Sequence, residues 1–473
     1  MKVIYLLLLL FVPGALADGL PDLGEAAQTV MTPLEEQRIG EEIMREVATS
    51  GEIINDIEVI DYLQALGYRL ASSSPDNHQF FSFFVVRDNS INAFALPGGV
   101  IGVHSGLLLA ASSESELASV LSHEIGHVVQ HHLARMMAQQ QQDSWKSIAA
   151  MAFALLAARS DPQLAGGTMM ATQAGAVQKQ LNYSRDNEHE ADRIGLQILD
   201  KAGFDTRAMP AFFETLQKGT RFYQGGAPSF LRTHPLTSER IADVRNRVEQ
   251  LPYRQVMDSP EFQYVRAKLR AMNGSPQEAV SWFDDSLREK RYTSEAAQHY
   301  GLAVAHERAG NLQAARQELG WLRTHAPRHA MIETLGAHLE FVMGNPREAE
   351  SQFQQALFTY PDHRGLIYGD VEALLAIGQP DAAIRLAGEK LQIYPHDAHL
   401  YELQSQGYTQ QGRNLLRHQA QGEFYFYSYN LPAAVEQMEL AVKSGDGDFY
   451  QLSIVEARLK QLRQLMIDAK DNK

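Results

Sequence analysis

The chain has 473 residues, 45% hydrophobic and 21% charged, with a formal net charge of -15 and no cysteine. At about 150 residues per domain this allows two or three domains with sizeable cores. The composition excludes a disordered chain and a multi-span membrane protein, and the acidic balance argues against nucleic acid as a partner. The lack of cysteine excludes disulfides, thiolate metal sites and a lipid anchor on cysteine.

The first seventeen residues, "MKVIYLLLLLFVPGALA", have a basic start at Lys2, an apolar run from Val3 to Val12 and a small-x-small end at Ala15 and Ala17. That pattern predicts a signal peptide cut after Ala17, with no integral membrane segment left after cleavage. Asp18 to Met31 reads as a linker. A helix is then predicted from Thr32, with Pro33 in its first turn and Glu35 completing a capping box. A second covers about Asp56 to Ala71. The β-prone runs "FSFFVVRD", "INAFALPGG" and "VIGVH" predict about three strands between Phe81 and His104.

The next helix is predicted to start at Ser113, with Glu116 placed for another capping box. Leu117, Val120, Leu121, Ile125, Val128 and Val129 share one broad face, with His123 and His127 roughly opposite. A core side and a chemistry side are expected. After the four glutamines at 139–142, an Ala- and Met-rich stretch runs to about Gln180. Its apolar part, Ile148 to Ala158, is too short for a bilayer that needs about twenty residues, and reads as a buried or lid-forming helix.

From about Asp258 the sequence repeats. Gly310, Gly344 and Gly378 are 34 residues apart, as are Ala315, Ala349 and Ala383, and Pro327, Pro361 and Pro395. Gly274 and Ala279 extend the pattern upstream. A 34-residue helix-turn-helix unit of this kind resembles the tetratricopeptide repeat. Ala434 lies 51 residues after Ala383, one repeat plus half of another, which predicts one extra helix near Arg413 to Asn430.

The chemistry centres on "LSHEIGHVVQHH", residues 121–132. Residues four apart on a helix share a face about 6 Å apart along the axis, so His123 and His127 can offer two imidazoles to one ion. Glu124, one residue round, reaches a metal-bound water and is the candidate general base. His131 lies about 12 Å from His123 along a regular helix and His132 points elsewhere, so both are expected to face solvent or substrate. A catalytic zinc takes three protein ligands. Glu188 and Asp192, four apart in "NYSRDNEHEADRIG", share a face, and Glu190 turns away from it. One acid is expected to bind the metal and the other to orient an imidazole. Spacing does not rank them. His234 in "RTHPLTSER" has the chemistry to donate to a tetrahedral oxyanion.

"HEIGH", "SRDNEHEADRIG" and "THPLTSER" in this order resemble the zinc-peptidase family of HtpX and the CAAX prenyl protease over roughly residues 32–250. The resemblance implies zinc held by His123, His127 and Glu188, with Asp192 behind the ligands and Arg240 pairing with an acid near the site. It also implies a substrate chain docked on the strand at Asn92, Ala93, Phe94 and Ala95. Peptidase followed by repeats is further similar to the periplasmic proteases that enhance β-barrel assembly in Gram-negative bacteria. That likeness implies that His234 closes the fourth zinc position and inhibits the resting enzyme. It implies a periplasmic location and clients among unfolded or misassembled outer-membrane β-barrel proteins such as LptD, met at the β-barrel assembly machinery through the repeats. The expected architecture is an α+β zincin-like metallopeptidase domain (18–255), mostly helical with a small sheet, followed by an all-α tetratricopeptide-repeat solenoid (256–473). The competing function is a non-proteolytic repeat-domain chaperone or adaptor.

Overall fold

The structure, a computed structural model, describes residues 32–76, 80–139, 184–222 and 229–471. The expected signal peptide, the linker and the Ala- and Met-rich stretch lie outside these residues. Helix α1 (Pro33–Thr49) begins at Thr32, where Thr32 and Glu35 satisfy each other's backbone amides in the predicted capping box. Helix α2 (Ile57–Ala71) is capped by Asp56, which accepts from the amides of Glu58 and Val59, and it buries Val59, Leu63, Leu66 and Leu70.

Strands β1 (Ser82–Val86), β2 (Ala93–Leu96) and β3 (Val100–His104) form one sheet in the order β1-β3-β2. β1 runs parallel to β3, and β2 runs antiparallel to it. β2 is therefore an edge strand among the described residues. The turn from β2 to β3 needs glycine: Gly98 and Gly99 have φ of 75° and 73°, and a Cβ on Gly99 would lie 1.8 Å from the Phe80 carbonyl oxygen.

Helix α3 (Ser105–Ala110) leads to the motif helix α4 (Glu114–Val129). Ser113 caps α4 by accepting from the Glu116 amide, but the Glu116 carboxylate takes the Ser112 amide, so the expected reciprocal bond to Ser113 is replaced. All sixteen residues of α4 are buried. The chemistry side is therefore buried as well as the core side, because the histidine face is covered by other helices. α4 ends at Val129, and Gln130 and the left-handed His131 (φ 50°) redirect the chain into α5 (His132–Gln139).

The helix covering that side is α6 (Arg185–Lys201). A Cβ on Gly126 would lie 2.9 Å from the Ala191 oxygen, and one on Gly195 would lie 3.0 Å from the backbone of His123. The helices meet backbone to backbone, which brings Glu188 and Asp192 within side-chain reach of the α4 histidines. Helices α7 (Ala208–Phe222), α8 (Ser229–Thr233) and α9 (Ser238–Val248) complete this half.

The helical repeats follow as α10 (Pro260–Met272), α11 (Pro276–Glu289), α12 (Glu295–Arg308), α13 (Leu312–His325), α14 (Ala330–Val342), α15 (Pro346–Thr359), α16 (Arg364–Ala376) and α17 (Pro380–Leu391). They end with α18 (Ala398–Gln410), α19 (Asn414–Tyr427), α20 (Leu431–Lys443) and α21 (Phe449–Asp471). Gly310, Gly344 and Gly378 sit at the turns within pairs with φ of 76°, 86° and 74°, the left-handed conformation that ends a helix. Ala315, Ala349 and Ala383 are buried where the paired helices cross. The extra helix is α19. Five residues before Ala434, as Gly310 precedes Ala315, stands Tyr429 with φ 61°, so a non-glycine residue takes the turn position there.

The predicted boundary at 255/256 falls in the coil between α9 and α10. One buried apolar cluster nevertheless crosses it, joining Leu63, Val103, Leu121 and Phe212 to Phe262, Leu302 and Leu335. Polar contacts pin the same interface. Lys268 holds both Asp56 and Glu58 at 2.6 Å, and Arg364 on α16 binds Asp61 on α2 and Asp397, the latter at 3.1 Å. Charge-assisted hydrogen bonds of this kind contribute about 1.5–3 kcal/mol when well buried, and this group is only partly so. Arg364→Ala is expected to destabilise the chain by about 1–2 kcal/mol, read as a lower urea midpoint; an unchanged midpoint would remove Arg364 from the docking contact. Among the described residues, no helix is long and apolar enough to cross a membrane.

Candidate metal centre

His123 and His127 project from α4 one turn apart, and their Nε2 atoms lie 3.1 Å apart. Glu188, in the first turn of α6, brings Oε1 to 3.4 Å from His127 Nε2. His234 follows α8, which stops at Thr233 because Pro235 disfavours helical backbone in the residue before it. Its ring stacks on Phe230 at 4.6 Å, and its Nδ1 lies 3.0 Å from Glu188 Oε1 and 3.4 Å from His123 Nε2. These four residues each offer a donor atom within 4.8 Å of the others, and all four are buried.

The spacing fits an ion. Zinc-nitrogen bonds of about 2.0–2.1 Å imply tetrahedral donor-to-donor edges of about 3.3–3.4 Å, close to the separations above. Three imidazoles and a carboxylate suit zinc and similar first-row metals. Glu124 lies beside the cluster, fully buried, with its Oε1 3.5 Å from His234 Nε2. A carboxylate in that position is set to receive a proton from a water lying between it and an ion.

The electrostatics follow from burial and neighbours. Burial raises the Glu124 carboxyl above its ordinary value, opposed in part by His234 and His123. Burial also acts to raise Glu188, but His234 and His127 outweigh it and hold that carboxylate well below the usual range. Burial pushes His127 well below the ordinary histidine value, favouring the neutral ring that a metal ligand requires. His234 goes the other way, because Glu188 and Glu124 overcome its burial.

Behind the cluster, Asp192 Oδ1 lies 3.0 Å from His123 Nδ1. Arg240, buried to 2% exposure, donates from Nε and Nη2 to the two oxygens of Asp192 at 2.7 and 2.8 Å. Its Nη1 lies 2.6 Å from Glu188 Oε2. Thr237 caps α9 by accepting from the Arg240 amide, which fixes where that side chain starts.

β2 passes the same site. The His104 amide donates to the Asn92 carbonyl at 3.0 Å, so Asn92 and Phe94 bond towards β3 while Ala93 and Ala95 turn their backbone groups away from it. The Ala95 amide is among the groups that lower Glu124. At the upstream end, the Ile91 carbonyl accepts from the Phe230 amide, so α8 covers the strand there.

Two expectations are corrected. His132 does not face solvent or substrate. It is fully buried, with Nδ1 2.9 Å from His127 Nδ1 and Nε2 3.1 Å from Glu190 Oε2, and burial pushes its pKa down to about 4. His131 departs from the helical series because α4 has already ended, and its Nδ1 lies 3.4 Å from Glu36 on α1. Arg135 and Glu190, which carried no expected role, pair with each other at 3.2 Å. The available signal was the doubled histidine at 131–132 followed three residues later by an arginine.

Residues 60–248 match Peptidase family M48, and residues 334–398 match the tetratricopeptide repeat. The chain is 32% identical over 457 residues to the beta-barrel assembly-enhancing protease of Escherichia coli (strain K12), covering 95% of this chain and 92% of the relative. The corresponding protein of Yersinia pestis is 31% identical over 452 residues with the same coverage. A putative beta-barrel assembly-enhancing protease of Vibrio cholerae is 42% identical over 289 residues, spanning 61% of this chain and 60% of the relative. With this likeness along nearly its whole length and the buried donor cluster in place, the chain belongs to peptidase family M48, among the beta-barrel assembly-enhancing proteases, and is a metallopeptidase.

Proposed function

We propose that this metallopeptidase is a periplasmic zinc endopeptidase that promotes assembly of outer-membrane β-barrel proteins and degrades misassembled ones. Its zinc ligands are His123, His127 and Glu188, Glu124 is the general base, and Asp192 and Arg240 orient the ligands. The peptidase domain is 18–255 and the client-selecting repeat domain is 256–473. The observation carrying the reading is the buried donor cluster at tetrahedral spacing with the buried Glu124 carboxylate beside it.

Zinc bound there supplies Lewis acidity to a water and to the scissile carbonyl. Glu124 takes the proton of the attacking water on a carboxylate oxygen and delivers it to the leaving amine. Asp192 holds the His123 ring through Nδ1 and so keeps Nε2 turned to the cluster. Arg240 clamps Asp192 and Glu188 together, fixing one carboxylate behind a ligand and another as a ligand. An extended client segment lies along the edge of β2 at Asn92 to Ala95, with the outward backbone groups of Ala93 and Ala95 pairing with it.

His234 is read as a plug. Its Nδ1 stands at the fourth corner of the donor set, 3.0 Å from Glu188 and 3.4 Å from His123, where a catalytic centre keeps its water. An oxyanion donor would stand outside the donor set, so the plug is the better-supported role. That the clients are β-barrel proteins is supported by the names of the relatives; LptD as a client and contact with the assembly machinery through the repeats are proposed on the resemblance of the motifs. The non-proteolytic adaptor is less well supported, because an adaptor has no use for a complete donor cluster with a buried carboxylate base beside it.

Metal analysis of purified protein tests the centre. One zinc per chain is expected, and His123→Ala is expected to hold almost none. Absence of zinc from the unsubstituted protein would sink the proposal.

A further inference from the structure

The two α4 histidines are held from behind in different ways. His123 is backed by a carboxylate, Asp192, at 3.0 Å. His127 is backed by a second imidazole, His132, at 2.9 Å between Nδ1 atoms. His132 Nε2 lies 3.1 Å from Glu190 Oε2, and Arg135 donates to the same Glu190 oxygen at 3.2 and 3.3 Å and to Asn187 at 3.2 Å. We propose that His132 is a positioning residue for the metal centre, fixing the tautomer and ring plane of His127 through an imidazole-to-carboxylate relay that ends at Glu190 and Arg135. The proposal rests on His127 being a ligand through Nε2.

Proton positions leave one arrangement. A neutral imidazole carries one N–H. With His127 Nε2 turned to the metal, its N–H is on Nδ1 and donates. His132 Nδ1 then accepts, so the His132 N–H is on Nε2 and donates to the Glu190 carboxylate. The reverse polarity would put the His127 proton on Nε2, where the ion binds. The relay therefore enforces the ligating tautomer of His127, as carboxylates and carbonyls do behind other metal-bound histidines.

The backbone is shaped for this contact. In a continued helix, residue 132 would stand about 140° round from residue 127 and point away from it. His131 breaks the helix with φ 50°, a left-handed conformation that is strained for a residue with a side chain. Strain of that kind is kept where the surroundings hold a functional group in place. Here it swings the His132 ring back under His127.

The test measures zinc affinity of the full chain by competition with a chelator, together with thermal unfolding of the metal-free protein. His132→Leu keeps bulk and removes the acceptor, and is expected to weaken zinc binding by about 10- to 100-fold. His132→Asn, whose Oδ1 can stand where Nδ1 stood, is expected to recover most of that loss. Cobalt in place of zinc is expected to show a shifted visible spectrum in the leucine variant and a near-normal one in the asparagine variant. A residue that only fills space would give the opposite pattern: zinc affinity unchanged in the leucine variant, or lost equally in both, overturns the relay. Should the leucine variant not fold, Glu190→Ala at the partly buried end of the relay, which removes the acceptor of the His132 N–H, decides: weakened zinc binding supports the relay, and unchanged binding overturns it. Failure of the unsubstituted protein to bind zinc overturns the metal centre itself, a result distinct from all of these.

Discussion

Glu124→Gln is expected to abolish peptide cleavage, lowering kcat by about 100- to 10,000-fold, while zinc content stays at one per chain. The amide keeps the shape of the carboxylate but cannot accept a proton from water. The neighbours of Glu124 are the His234 ring, 3.5 Å from Oε1, and the Ala95 amide, and an isosteric side-chain amide still reaches both, so the substitution removes the base while keeping the shape. Removal of a buried carboxylate relieves its desolvation cost but gives up its attraction to His234, so thermal stability is expected to stay close to that of the unsubstituted protein. Cleavage of a denatured model protein and metal analysis on one sample check this. Full activity in the variant would require another base. Retention of client assembly by the inactive protein would show that binding through the repeats carries part of the function.

His234→Ala is expected to act in the opposite direction. If the plugged form outweighs the open form by about 10- to 100-fold, removing the plug raises activity by about that factor. Zinc is retained, because His123, His127 and Glu188 supply the three ligands that a catalytic site needs. An oxyanion donor would give the reverse result, a loss of about 100- to 1,000-fold in kcat. Initial rates of the variant and the unsubstituted protein therefore separate the two roles by sign.

The outline of both halves was legible because each rests on local pattern. The capping box at Thr32 and Glu35, the β-prone runs and the 34-residue spacing of glycine, alanine and proline all depend on residues near one another in sequence. The structure brings together His123, His127, Glu188 and His234, with Asp192 and Arg240 behind them, although they span more than a hundred residues; the ordered motifs placed them where spacing within one helix did not. Periodicity failed at the end of α4. It extended a regular helix through His131 and His132, whereas the left-handed turn at His131 is a tertiary outcome fixed by what His132 meets on arrival. The burial of the histidine side of α4 was invisible for a similar reason, since the covering helix α6 lies some sixty residues away in sequence. Gly126 and Gly195 were the unused signal: a glycine inside a helix that has no turn to make often marks close approach of another backbone.

That contact has a consequence for how much change the centre tolerates. Metal-ligand distances are held to about 0.2 Å, and here the separation between the histidine helix and the carboxylate helix is set by main-chain atoms in contact, with no side chain between them to repack. Ordinary cores absorb a substitution by shifting rotamers, but this junction has no rotamers to shift. A methyl group at either glycine would meet backbone at 2.9 or 3.0 Å and push the two helices apart by a few tenths of an ångström, a shift of the same order as the coordination tolerance. The dimensions of the centre are thus gauged by the two residues in it that have no chemistry of their own.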